Sequence, residues 1–426
     1  MNREIFVIGL QRGFSLSGKA RERLAASEVI LASQRLFDIF KIRENAIFRE
    51  KIKIIPKVED TVSFLRGFNG KACVLASGDP LFFGIGGVLL KEFPREEVFI
   101  YPAISSIQLA FARAGKSWED AFFVSLHGPK KRRWRPEDLP LILDRHTKIA
   151  VLTGGENGPG EIARFLPDNS KVIVLERLGL PDENMLETTA SKLKAMDQFR
   201  EPNLLIIEAE SGHKDSTKNV KICLGLEEDE FGHSEGLITK DEVRAVVLHK
   251  LKIPVEGVLW DIGAGSGSVG IEAKRLSPGL DVYAVEKERD RAAEIIANSV
   301  SLHAGGINII CGEAPSTLEK FPAPDRVFIG GSGGGLVDII KFAAGKMREG
   351  GIIVVSAITL ESINEALLSL EKEGFQKVDA VSIAASRMVP IGTPIGGKAG
   401  GQKSQKRKNY FKALNPVFVI RGSEKK

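Results

Sequence analysis

Short apolar runs recur through the first half of the chain, at residues 5–8, 73–75, 98–100, 149–152, 172–175 and 204–207, and the stretches between them carry apolar positions at helical spacing. Strands alternating with helices predict an α/β fold built on a mostly parallel sheet. A polar stretch, residues 211–219, and the acidic run Glu227-Glu228-Asp229-Glu230 then interrupt the pattern. The boundary expected there divides the chain into a first domain, 1–210, a linker, 211–223, and a second domain, 224–426. The second domain opens with Thr239-Lys240-Asp241-Glu242, which reads as a capping box ahead of a helix bearing Val243, Val246, Val247 and Leu251. Seven strands are expected after it, at 257–262, 281–285, 307–311, 325–329, 351–357, 378–383 and 416–420, with helices between the first six. The last two are expected to be antiparallel, closing a doubly wound, seven-stranded Rossmann-like sheet.

Composition narrows the class without changing this picture. Apolar residues make up 43% of the 426 positions and charged residues 27%, which excludes a fibrous or tail-like chain. No apolar run reaches the roughly 18 residues of a spanning helix. The apolar stretch 5–10 is shorter than the roughly 7 to 15 residues of a secretory core, so a cytoplasmic location and no membrane partner are expected. Cys73, Cys223 and Cys311 are too few and too scattered for a disulfide framework, and strand-like surroundings predict buried thiols. The net charge of +5 is concentrated in residues 398–412, which hold six basic residues and no acid. That segment reads as a solvated loop, a site for an acidic ligand, or a nucleic-acid patch.

The strongest chemical signal is Asp261-Ile262-Gly263-Ala264-Gly265-Ser266-Gly267-Ser268, placed directly after an expected strand and opening a helix. Glycine turns of this kind let the backbone approach a nucleotide-type cofactor. Glu286 ends the next strand 21 residues after Gly265, where an acid accepts ribose hydroxyls. Spacing alone leaves both a nicotinamide dinucleotide and S-adenosylmethionine open. Asp261 favours the second, because a carboxylate beside the loop suits an ammonium and a sulfonium and repels a pyrophosphate. Ala314, in Gly312-Glu313-Ala314-Pro315, is placed to line an adenine. Gly331, Ser332 and Gly333 sit in a loop with almost no side chains, where an acceptor could lie. In the first half, Gly78-Asp79-Pro80 after a strand forms a turn with a carboxylate. The six histidines form no metal-ligand pair, so no metal is expected. Asn415-Pro416-Val417 is not the Asn-Pro-Pro-aromatic site with which many nucleic-acid methyltransferases grip a base amine, so a base as acceptor is disfavoured.

Residues from about 224 onward resemble the carbon-15 methylating half of the precorrin-6Y methyltransferases of cobalamin biosynthesis. The resemblance rests on Gly236 to Arg244, Asp261 to Ser268, Gly312 to Pro315, Phe328 to Gly334 and Asn415 to Phe418, in that order. It implies that Thr239, Gly263, Ala264, Gly265, Ser266, Gly267, Glu286 and Ala314 contact S-adenosylmethionine. The first half is similar to the tetrapyrrole methylases, through Ala76 to Gly84, Pro102 to Ala112, Trp118-Glu119-Asp120 and Glu176 to Gly179. There the implied cofactor residues are Gly78, Asp79, Pro80, Gly84, Ser105 and Ser106. Two departures stand out: residues 9–17 lack a glycine-proline pattern, and Ala32-Ser33-Gln34-Arg35-Leu36 replaces a double glycine before the arginine. The expected activity is methylation of a precorrin or cobalt-precorrin at carbons 5 and 15 with decarboxylation, by a homo-oligomer carrying one S-adenosylmethionine per domain. Lys406, Arg407 and Lys408 are expected to face the carboxylates of that substrate. A dinucleotide-dependent reductase and an RNA-binding protein are the alternatives.

Overall fold

The computed structural model describes residues 3–10, 16–41, 46–126, 134–209, 224–234, 238–390 and 409–425. The chain forms two compact units, Met1–Pro136 with Leu143–Lys214, and Glu137–Ile142 with Asp215–Lys426. The switch between them falls in residues 210–223, outside the described residues. A single cut at 211–223 does not account for Glu137–Ile142. Asp138 in that segment is 3% exposed and pairs at 2.9 Å with the buried ammonium of Lys274, which places it in the second unit.

In the first unit, β1 (Glu4–Leu10), β2 (Val29–Ala32), β3 (Ile52–Ile54), β4 (Lys71–Ser77) and β5 (Val98–Tyr101) form a parallel sheet in the order β3-β2-β4-β1-β5. Its central strands are buried on both faces, which is why β1 and β4 read as unbroken apolar runs. A second sheet holds β6 (Ala121–Ser125), β7 (Lys148–Leu152), β8 (Lys171–Glu176), β9 (Asn184–Thr189) and β10 (Asn203–Glu208), ordered β6-β7-β10-β8-β9. Only β6 and β7 are parallel, so the expected mostly parallel sheet is correct for the first sheet and not for the second. Residues 177–183, which join β8 to β9, are too few for the helical crossover that a parallel pair requires.

The second unit is built on β11 (Glu256–Ile262), β12 (Gly279–Glu286), β13 (Asn308–Cys311), β14 (Arg326–Ile329), β15 (Ile352–Ala357) and β16 (Phe375–Ile383). After a two-stranded arm, β17 (Ser386–Pro390) and β18 (Asn409–Ala413), comes β19 (Val417–Lys425). The large sheet runs β13-β12-β11-β14-β15-β19-β16, with β19 inserted antiparallel between β15 and β16. The expected seven strands and antiparallel ending are present, while the arm was not foreseen. Apolar clusters cover both faces, one around Trp260, Ile340 and Ile353 and the other around Val247, Leu259 and Val354.

Three local expectations are corrected. Between β13 and β14 the chain forms only a 3₁₀ turn, Ser316–Lys320, because Pro315 and Pro322 bracket a segment too short for an α-helix. The helix Asp241–Leu251 is capped by Lys240 with no side-chain cap bond; Glu242 is drawn instead to Arg387, whose Nε and terminal nitrogen donate to its two oxygens at 2.9 and 2.7 Å. Cys73 is buried in β4, but Cys311 is exposed at the end of β13. Cys223 lies outside the described residues. Among those residues no helix is long and apolar enough to cross a membrane, and no group of three His, Cys, Asp or Glu could hold a metal ion.

Candidate functional site

Strand order reverses between β11 and β14, and in an open parallel sheet ligands sit in the crevice beyond that point, at the carboxyl ends of the strands. The loop after β11 occupies it. Gly263 has φ +65°, and a Cβ there would lie 2.2 Å from the carbonyl oxygen of Gly331, so only glycine lets the loops after β11 and β14 touch. Gly263, Ala264 and Gly265 are half-buried, whereas Ser266 and Gly267 are buried and lead into the helix Ser268–Leu276. Gly331 and Gly333 are exposed, and Ser332 and Ala314 are half-buried, all at the same edge. Glu286, at the end of β12, is 4% exposed; its Oε2 accepts from the Gly265 amide at 2.9 Å and its Oε1 from Glu288 at 3.1 Å. The carboxylate therefore braces the glycine loop.

Asp261 departs from the sequence reading, which placed a carboxylate beside the loop. Its side chain is fully buried beneath it. Oδ2 accepts from the Gly270 amide at 2.9 Å, while Oδ1 has no hydrogen-bond partner; the buried hydroxyl of Ser266 has none either. Burial, and secondarily the negative charge of Glu286, push the Asp261 carboxyl up to about 7, against the Gly270 amide that lowers it. The folded state thus keeps a proton that the unfolded chain releases near pH 4. Stability from this group falls as pH rises from about 4 to about 7, and the destabilisation is complete above that. Asp261→Asn should flatten this part of the melting-temperature curve of the free protein. Parallel curves for the two proteins between pH 5 and pH 8 would show that Asp261 does not titrate there.

Thr239 leads into the helix Asp241–Leu251, and its carbonyl accepts from Arg244 at 2.9 Å. Arg244 was not foreseen. It is 1% exposed, pairs with the equally buried Glu272, donates to the Leu226 carbonyl and lies over the Phe231 ring at 5.1 Å. Glu272 in turn accepts from the Gly225 and Leu226 amides. The pair ties residues 225–231 and the Thr239 turn to the helix that follows the glycine loop.

In the first unit a cavity of about 510 Å3 is lined by residues of both sheets. Asp79, Gly84, Ser105 and Ser106 line it; Gly78 and Pro80 form the turn behind. Gly78 has φ +63° and donates to the Leu10 carbonyl, and its Cβ position lies 3.1 Å from the Cα of Ser105. The turn is thereby pressed against the helix Ser106–Ala114, whose N-cap Ser105 and Gln108 form a reciprocal capping box. Asp79 Oδ1 accepts from Leu81 at 2.8 Å, fixing the turn with its second oxygen free of that bond. Thr153 and Asn203, also on the wall, were not foreseen; the Thr153 hydroxyl lies 2.6 Å from the Asn203 side-chain oxygen. Nothing in their sequence neighbourhood marks them, because β7 and β10 bring them together. Lys406, Arg407 and Lys408 lie outside the described residues.

The family described as Tetrapyrrole (Corrin/Porphyrin) Methylases matches residues 8–194, and the precorrin methyltransferase domain matches residues 229–400. A precorrin-6Y C(5,15)-methyltransferase (decarboxylating) from Sinorhizobium sp is 34% identical over 388 residues, 90% of each chain. The chain belongs to the precorrin-6Y C(5,15)-methyltransferase family. A member from Mycobacterium tuberculosis is 27% identical over 83% of this chain and 87% of its own. The cobalt-precorrin-6B C(15)-methyltransferase (decarboxylating) of Salmonella typhimurium is 38% identical over 43% of this chain and 87% of its own, within the second half. Family membership makes the chain a methyltransferase.

Proposed function

We propose that the chain methylates a precorrin or cobalt-precorrin at carbons 5 and 15 and removes the carboxyl of the ring-C acetate, using S-adenosylmethionine in each unit. Carbon 5 belongs to the first unit, carbon 15 and the decarboxylation to the second. The observation that carries this reading is that each unit has its own glycine turn at the carboxyl ends of parallel strands, with a carboxylate beside it, in a chain that its relatives match from one half to the other. The second site fits a nucleotide-type cofactor: the buried Glu286 carboxylate ends β12 beside the loop, and Gly263, Ala264 and Gly265 carry no side chain larger than a methyl. Glu286, Thr239 and Ala314 would hold the cofactor there, with Asp261 supporting the loop from beneath, and Asp79, Gly84, Ser105 and Ser106 would hold it in the first unit.

S-adenosylmethionine supplies an electrophilic methyl on a sulfonium. The acceptor carbon of a reduced macrocycle is enamine-like, so the protein needs alignment and exclusion of water more than a strong base. The Gly331-Ser332-Gly333 loop leaves room for a bulky acceptor, and the conjugated macrocycle can take the electrons released on decarboxylation. Lys406, Arg407 and Lys408 would face the carboxylates of the substrate.

Incubation with precorrin-6Y and carbon-labelled methyl donor should place label at carbons 5 and 15 with release of carbon dioxide. Label at neither carbon would contradict the proposal. Within the second site, charge-assisted hydrogen bonds contribute roughly 1.5 to 3 kcal/mol, so Glu286→Ala should weaken donor binding about ten- to a hundredfold. An unchanged dissociation constant would remove Glu286 from the ribose position.

A further inference from the structure

Two cations on the wall of the first-unit cavity remain outside the cofactor reading. Arg35 follows β2 and Lys57 follows β3, both at the carboxyl edge of the parallel sheet, and both line the cavity. Both are exposed, and neither pairs with an acid among the described residues. The third cation on the wall, Arg177, is committed: it pairs at 2.6 Å with Asp182 and donates to the Glu201 carbonyl at 3.2 Å. Of the two acids on the wall, Asp79 stands at the cofactor turn, and Glu201 precedes β10 on the second sheet. The first sheet thus presents an anionic turn after β4 and a cationic edge after β2 and β3.

Resting on the reading that the first unit methylates a precorrin, we infer that Arg35 and Lys57 form the subsite that receives carboxylates of the methyl acceptor and so sets which edge of the macrocycle reaches the methyl group. The charge separation supports it. A sulfonium donor is attracted to the Asp79 turn and repelled from Arg35 and Lys57, whereas acetate and propionate groups behave oppositely. Phe83, on the same wall, is 57% exposed and held at φ +51°, a conformation costly for a bulky residue, and it offers an apolar face to the cavity.

The test compares wild type with Arg35→Glu/Lys57→Glu, following carbon-5 methylation of precorrin-6Y with labelled donor. Exposed charge pairs are individually weak and screened by salt, so the double reversal should raise KM roughly tenfold at low salt, and less at high salt, with donor affinity unchanged. Arg35→Lys/Lys57→Arg, which keeps both charges, should restore KM to near the wild-type value. An unchanged KM in the reversed variant would overturn this assignment while leaving the methylation reading intact. A folded wild-type protein that labels carbon 15 but never carbon 5 would overturn the reading beneath it.

Discussion

Glu272→Ala is expected to lower the melting temperature of the second unit by about 10 °C. Removing one partner of a buried ion pair costs about 3 to 5 kcal/mol, because the other charge stays desolvated. For a domain of this size each kcal/mol moves the transition by about 2 to 4 °C. Arg244, at 1% exposure, would be left with the carbonyls of Leu226 and Thr239 and with Asp241, and the Gly225 and Leu226 amides would lose their acceptor. Function should follow stability here, since the pair fixes the Thr239 turn against the helix that follows the glycine loop. Donor affinity of the second site should therefore fall as well. Replacing both members with apolar residues, Arg244→Met with Glu272→Leu, should recover most of the stability. A Glu272→Ala protein melting within about 2 °C of wild type would show that the pair is not a strut.

Asp79→Asn should reduce transfer to carbon 5 by about ten- to a hundredfold and leave transfer to carbon 15 in place. Asparagine keeps an oxygen for the Leu81 amide, so the turn survives and the lost quantity is charge. The readout is the distribution of labelled methyl between the two carbons. Equal loss at both would argue for one shared donor site.

The parallel strands were legible because interior strands of such sheets are buried on both faces and read as continuous apolar runs, as β4 does. β9, Asn-Met-Leu-Glu-Thr-Thr, escaped notice because it is a largely exposed edge strand with no such run. The glycine turns were equally legible, since close backbone approach demands glycine at specific positions. What the sequence could not show is pairing across distance. Glu242 looked like a capping partner for Thr239 until Arg387, 145 residues away, took it. Arg244 and Glu272 lie on separate helices 28 residues apart. Asp261 reads from the sequence as a carboxylate beside the loop, but its side chain lies beneath it, bonded to the Gly270 amide, and stands as a buried, proton-holding group.

The central claim is that each unit holds its own methyl donor. Calorimetric titration of the full chain with S-adenosylmethionine tests it most directly: the wild type should bind two molecules per chain, Glu286→Ala should weaken only the second-unit event, and Asp79→Asn only the first. One molecule per wild-type chain, or a single event weakened by both variants alike, would contradict it.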